Sequence, residues 1–122
     1  MARLGEARGR EAESLARAHL ERAGYRVVAA RRRTPGGELD LVAWDGPVLV
    51  FVEVKARGGQ GFGRAEEMVD RRKRERLAQA AAAYLAELGP PAPPCRFDVV
   101  AVEMGSGTPR LRHLPDAFRP GE

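Results

Sequence analysis

The stretch that most constrains this fold is Gly37 to Lys55, GELDLVAWDGPVLVFVEVK. Two apolar runs rich in β-branched residues flank Asp45-Gly46-Pro47, so the stretch predicts a β-hairpin. Apart from Asp45 in the turn, its acids sit near the outer ends of the runs, and Lys55 follows the last of them. A turn centred on Asp45-Gly46 sets Glu38 opposite Glu53, Asp40 opposite Phe51 and Gly36 opposite Lys55. That register depends on the turn, and Pro47 would change it by forcing a longer loop. Side chains alternate along a strand, so Glu38, Asp40, Glu53 and Lys55 share one face. Leu39, Leu41, Ala43, Val50, Val52 and Val54 make the other face, wholly apolar and expected to be buried.

Directly opposed residues hold their Cβ atoms roughly 5 Å apart, and diagonal ones such as Asp40 and Glu53 roughly 7–8 Å. Two carboxylates at that separation can turn onto one ion. Three acids packed this closely repel one another, and one must take a proton or find a cation. An all-oxygen set suits Mg2+ or Mn2+. Such an ion holds a phosphodiester, acidifies a water and stabilises the leaving oxygen. Lys55 would orient that water or neutralise charge developing on the phosphate. The same residues would serve equally as ordinary solvated strand ends, and spacing does not separate the two.

The 122 residues make one domain, residues 1–122, with a single modest core. No apolar run is long enough to span a membrane, and the charged N-terminus lacks a signal-peptide pattern. One cysteine, Cys95, excludes a disulfide framework and a Cys-rich zinc site. A cytoplasmic protein is expected. A net charge of +4 and a pI near 10.0 favour a polyanionic partner, nucleic acid foremost. The basic residues are nearly all arginine. Lys55 and Lys73 are the only lysines, which suggests positions where a compact amine is needed.

Around the hairpin, Arg10 to Ala23 has helical periodicity through Ala12, Leu15, Ala16, His19 and Leu20, stopped by Gly24. Tyr25 to Ala30 is a short strand candidate, and Arg31 to Gly37 a basic turn feeding the hairpin. Arg57 to Gly63 is a glycine-rich loop without the pattern of a nucleotide-phosphate cradle. A long helix is predicted from about Arg64 to Leu88, ended by Gly89 and a proline run. Arg96 to Glu103 is another strand, with a last short one at Leu111 to Leu114. Pro115 to Glu122 is expected to be an irregular tail. The order α-β-β-β-α-β(-β) implies an α/β fold with a central mixed sheet flanked by helices.

Asp40 on one strand and Glu53-Val54-Lys55 on the next resemble the signature of the PD-(D/E)xK nuclease superfamily. The wider pattern is more specific: Glu13-x-x-Ala16-x-x-x-Leu20-x-x-x-Gly24-Tyr25, Gly37-Glu38-Leu39-Asp40-Leu41, Phe51-Val52-Glu53-Val54-Lys55-x-Arg57, Phe62-Gly63, Lys73 and Arg96-Phe97-Asp98-Val99-Val100-Ala101-Val102. It resembles the small bacterial YraN-type family, endonuclease-like and similar to archaeal Holliday-junction resolvases, over nearly the whole chain. The resemblance implies a restriction-endonuclease-like αβββαβ core and metal ligation by Asp40 and Glu53. The superfamily's Pro before the first Asp is replaced by Leu39.

Helical periodicity places Glu11 and Glu13 alike at the margin of the apolar stripe. The resemblance favours Glu13 as a third carboxylate at the metal, leaving Glu38 to support the site. Lys73 lies on the second helix's apolar stripe with Val69, Leu77, Ala80, Tyr84 and Leu88. It either snorkels outward or points to a phosphate or carboxylate in the site. Its neighbours Arg71, Arg72, Arg74 and Arg76 read as a charged solvent face. Arg31, Arg32 and Arg33 enter the hairpin at the acidic end and Arg57 leaves there, so cations ring the acids as a passing phosphate backbone requires. His19 and His113 have no ligand spacing and read as core or surface residues.

The leading expectation is a divalent-metal-dependent nuclease acting on DNA, branched or junction DNA included. Asp40, Glu53 and Glu13 would hold the ion, and Lys55 would act on the water. Arg31, Arg32, Arg33, Arg57 and Lys73 would hold phosphates. A nucleic-acid-binding module that keeps this fold with little turnover is the alternative, and a protein-interaction domain a third. A homodimer would suit a junction-cutting enzyme by symmetry, though no stripe marks an interface.

Overall fold

The hairpin forms, and its two strands become inner strands of a five-stranded mixed sheet. The computed structural model describes residues 2–57, 69–105 and 107–120, with side chains from residue 9 onward. The elements are α1 (Ala2–Arg22), β1 (Arg26–Thr34), β2 (Gly37–Asp45), β3 (Val48–Arg57), α2 (Arg71–Leu88), β4 (Cys95–Glu103) and β5 (Arg110–Phe118). The strands lie in chain order across the sheet, parallel only between β3 and β4, where α2 makes the crossover. Sheet and helices make a single α/β domain. Among the described residues no helix is long and apolar enough to cross a membrane.

Both faces of the sheet are covered, which is why the inner strands read as near-continuous apolar runs. Ala12, Ala16 and Leu20 of α1 pack on Leu41, Val50, Val52, Val100 and Val102. Leu77, Ala80 and Ala81 of α2 pack with Leu39, Val42, Leu49, Phe51, Val99 and Ala101. The hairpin's acidic face is therefore polar only toward its outer end; deeper in, it is core. Leu39 was expected on the face of Leu41, yet it packs under α2 while Leu41 packs under α1. Simple alternation breaks at Asp40 between them.

The hairpin register also differs from expectation. Asp45 pairs with Val48 and Phe51 faces Val42, so the turn is Gly46-Pro47 and Gly46 takes the positive φ of 59°. The slip is an even number of residues, so the register by itself moves no side chain to the other face, and the displacement of Leu39 belongs to the break at Asp40.

Four element boundaries are corrected. Helix α1 begins at Ala2 instead of near Arg10. Strand β1 runs on through Arg31, Arg32 and Arg33, which pair with β2 as Arg32 with Leu39 and Arg33 with Glu38, leaving Pro35-Gly36 as the turn. Helix α2 starts at Arg71 because Asp70 caps it, its side chain accepting from Lys73 N–H at 2.9 Å; the expected start at Arg64 lies outside the described residues. The predicted irregular tail is strand as far as Phe118. That ring stacks on Phe97 with centroids 4.9 Å apart and is buried. Pro115 is tolerated because β5 is an edge strand, and Asp116 absorbs the irregularity at φ 51°. The loop 58–63, including Phe62-Gly63, also lies outside the described residues.

At the end of the sheet holding the hairpin turn, Asp98 of β4 is a fully buried carboxylate with every oxygen engaged. Its Oδ1 accepts from Arg96 Nε and Asp116 N–H, each at 2.9 Å. Its Oδ2 lies 2.8 Å from His113 Nε2 and accepts from Tyr25 at 3.3 Å and Arg96 Nη2 at 3.2 Å. Arg96 reaches on to Asp45 at 3.0 Å, tying the turn to β4. Burial alone would push the Asp98 carboxyl up. The bonds from His113, Arg96 and the Asp116 amide outweigh it and hold the group below the usual carboxylate range.

A depressed acid stabilises the fold above its unfolded pKa of about 3.9, and that contribution is lost as pH falls through the folded value. Asp98→Ala should cost about 3–5 kcal/mol at pH 7, because Arg96 and His113 lose their buried partner. Urea unfolding at pH 7 and pH 3 should show the deficit narrowing in acid; an equal deficit at both would mean the charge contributes nothing.

Candidate metal and phosphate site

At the opposite end of the hairpin, β2 and β3 stop pairing. The ladder runs from Asp45–Val48 to Leu41–Val52. Beyond it Val54 N–H donates to the Asp40 side chain, Oδ2, at 2.9 Å. The carboxylate thus takes a backbone donor that an unbroken ladder would satisfy, and it is drawn inward between the strands. The parting opens a cavity of about 490 Å3 that reaches both helices. Gly9, Ala12 and Glu13 of α1 line one side, Lys73, Arg76 and Leu77 of α2 the other, and Gly36, Gly37, Glu38, Asp40, Glu53, Val54 and Ala56 the strands between. Gly36 lets α2 come this close: a Cβ there would stand 2.4 Å from the Gln79 carbonyl oxygen.

Glu53 is the buried acid of the site, only 5% exposed. Lys73 Nζ lies 2.6 Å from its Oε2 and Lys55 Nζ 3.9 Å from the same atom. Both lysines of the chain therefore converge on one oxygen. The Lys73 contact is an ion pair outside the angles of a hydrogen bond, so Oε2 is a buried acceptor without a hydrogen-bond partner.

The charges shift one another. Burial pushes the Asp40 carboxyl up to about 8, helped by its hydrogen bond with Glu53 and the Glu53 charge and opposed by the Val54 amide. Burial lowers the Lys55 ammonium to about 8, as do its contact with Lys73 and the Lys73 charge. Burial also works against the Lys73 ammonium, but its contacts with Glu53 and Lys55 outweigh it and raise that group.

The other sequence candidates fall into three places. Glu13 and Glu38 line the cavity, but Glu13 Oε1 accepts from Arg31 Nε at 2.6 Å. Among the described residues no group of three acids, histidines or cysteines is close enough to share a metal ion. Arg32 pairs with Glu87 of α2, and Arg33, 90% exposed, stands 3.9 Å from Glu38. Arg57 ends β3 beside Glu103 of β4 and does not line the cavity. Lys73 resolves its two alternatives in favour of a carboxylate.

Arg76 was read as part of a solvent face, yet it lines the cavity. Its spacing of three from Lys73 was the available signal, since such residues share a helix face. His113 has a core role, bonded to Asp98 and edge-on to His19 and Tyr25.

A family model described as uncharacterised protein family UPF0102 matches residues 12–102, which span α1 to β4 and every residue of the cavity except Gly9. The chain belongs to that family. A UPF0102 protein of Symbiobacterium thermophilum is 50% identical over 117 residues, covering 95% of this chain and 96% of the relative. One from Xanthomonas campestris is 52% identical over 114 residues, 92% of this chain and 91% of its own. One from Chlorobaculum tepidum is 42% identical over 120 residues, 93% of each chain. The UPF0102 membership agrees with the YraN-type resemblance read from the sequence.

A raised acid destabilises the fold as pH climbs. Between the unfolded value of about 3.9 and the folded value of about 8, the folded protein keeps a proton that the unfolded chain has released. Asp40→Asn keeps an acceptor for Val54 N–H and removes that titration. In EDTA its stability relative to wild type should rise from pH 4 to pH 8, by several kcal/mol at the upper end. Urea midpoints across this range test it; a constant difference would mean that Asp40 is not held protonated.

Proposed function

We propose that this UPF0102 protein is a divalent-metal-dependent nuclease acting on DNA phosphodiesters. The observation that carries the proposal is the pair Asp40 and Glu53, drawn together where β2 and β3 part, with Glu53 Oε2 buried and met by the two lysine ammonium groups. A buried carboxylate oxygen whose near partners are ammonium groups is one that a metal cation can take over.

The donor set fits Mg2+ or Mn2+. These hard ions are commonly held by one or two carboxylates, with water and phosphate oxygens completing the shell. Asp40 and Glu53 would hold the ion, and Glu13 would join them only by leaving Arg31. The ion would supply charge stabilisation at the phosphorus and a more acidic water. Lys55 Nζ stands 3.9 Å from Glu53 Oε2, outside the cavity lining, and its amine would turn inward to orient the attacking water or neutralise charge on the scissile phosphate. Arg76 on one wall and Arg31 to Arg33 along β1 would hold the flanking phosphates. Water attacks phosphorus and the bond to the leaving oxygen breaks, so two ester ends become a phosphate monoester and a hydroxyl.

A second reading is favoured by one specific contact. With Glu13 bound to Arg31, the described residues offer two acids and not three. A module that binds nucleic acid in this cavity with little turnover would leave them so.

Cleavage of linear, flapped and four-way DNA in Mg2+ and Mn2+ separates the readings. The wild type should cut, and Asp40→Ala and Glu53→Ala should each lower the rate at least about 100-fold. Cutting that survives both substitutions would remove this site from the reaction. Salt-sensitive binding without cutting, across ions and substrates, would establish the second reading.

A further inference from the structure

Lys73 stands where the site has least room for a permanent cation. It rises from the first turn of α2, fixed there by the Asp70 cap, and its Nζ lies 2.6 Å from the one buried Glu53 oxygen without a hydrogen-bond partner. An ion ligated by that oxygen would sit about 2.0–2.1 Å away and so within a few ångströms of the ammonium. Two cations at such a separation in a half-buried cavity repel strongly.

The Lys73 side chain is 31% exposed and lines the cavity, so its stem has space to swing toward the mouth. Lysine suits this. Its ammonium is a compact point charge on a flexible stem, whereas an arginine fork would lock a carboxylate bidentately. In a chain that uses arginine almost everywhere, both lysines meet at Glu53.

We propose that Lys73 is a tethered counter-ion. It holds the Glu53 carboxylate in the ion-free protein, gives up that oxygen when a divalent ion enters, and then meets substrate phosphate at the cavity mouth. The inference rests on the metal-dependent reading above. It adds that ion entry and phosphate contact are coupled through one side chain, so Lys73 opposes the first and assists the second. Lys55 makes the longer contact from the same strand as Glu53, and it has no such exchange to perform.

Isothermal titration of the DNA-free protein with Mn2+ tests this, with wild type, Lys73→Met and Lys55→Met compared after melting curves confirm folding. Lys73→Met should bind Mn2+ roughly fivefold or more tightly. In Ca2+ the same variant should bind a short DNA duplex more weakly, with a salt slope smaller by about one. Lys55→Met, whose ammonium stands farther from that oxygen, should show a clearly smaller gain in Mn2+ affinity. Unchanged or weaker Mn2+ binding by Lys73→Met, or an equal gain in Lys55→Met, overturns the inference and leaves the metal site standing. Wild-type protein that binds no Mn2+, or binding that persists in Asp40→Ala and Glu53→Ala, overturns the metal site itself and this inference with it. Should Lys73→Met fold poorly, Lys73→Gln carries the same comparison.

Discussion

The side chain of Asp40 holds a backbone donor, Val54 N–H, beyond the last pair of the β2–β3 ladder. Much else depends on that one bond. It ends the hairpin ladder early, turns Leu39 and Leu41 to opposite faces, and leaves a gap through which residues of both helices reach one cavity. An uninterrupted ladder would close the gap and keep α1 and α2 on separate sides of a sealed sheet. The carboxylate that opens the gap also becomes half of the acid pair inside it. Burial then makes the pair hard to ionise together, which is the state a cation relieves.

The fold contains a second buried acid, and the contrast between the two is informative. Asp98 is surrounded by donors from Tyr25, just before β1, and from β4 and β5, and is held ionised. It locks the turn end of the sheet and has no capacity left for a ligand. Glu53 is almost as buried, but among the described residues its Oε2 is met by the ammonium groups of Lys73 and Lys55 and not by donors of the sheet. One acid is fully served by its own fold, the other is not. A buried acid that lines a cavity and is balanced by cations rather than by its own backbone is where a function is to be sought.

The acid face was legible because side-chain alternation survives an even slip. Glu38, Asp40 and Glu53 line one cavity, and Lys55 reaches Glu53 without lining it, although the turn sits at Gly46-Pro47 rather than Asp45-Gly46. An odd slip would have sent every one of them to the wrong face. What periodicity could not show was the break at Asp40, because a side chain replacing a backbone partner leaves no mark on the apolar pattern. Strand β1 through its arginines was missed for a related reason. Edge strands carry charge to discourage further pairing, so they read as loops. Phe118 was missed because its partner, Phe97, lies far away in sequence, and Pro115 speaks locally against a strand.

The arginines of β1 extend the same logic outward. Arg31 is bonded to Glu13 of α1, Arg32 to Glu87 of α2, and Arg33 stands near Glu38. Exposed pairs of this kind contribute little to stability, about 0–1 kcal/mol each. Exchanging a carboxylate partner for a phosphate oxygen therefore takes little from the fold. Each exchange at Arg31 would also free Glu13 to turn into the cavity it already lines. On the proposed nuclease reading, a phosphate backbone laid along β1 would thus deliver a third carboxylate as it arrives, and the acid set would be completed by the substrate rather than before it.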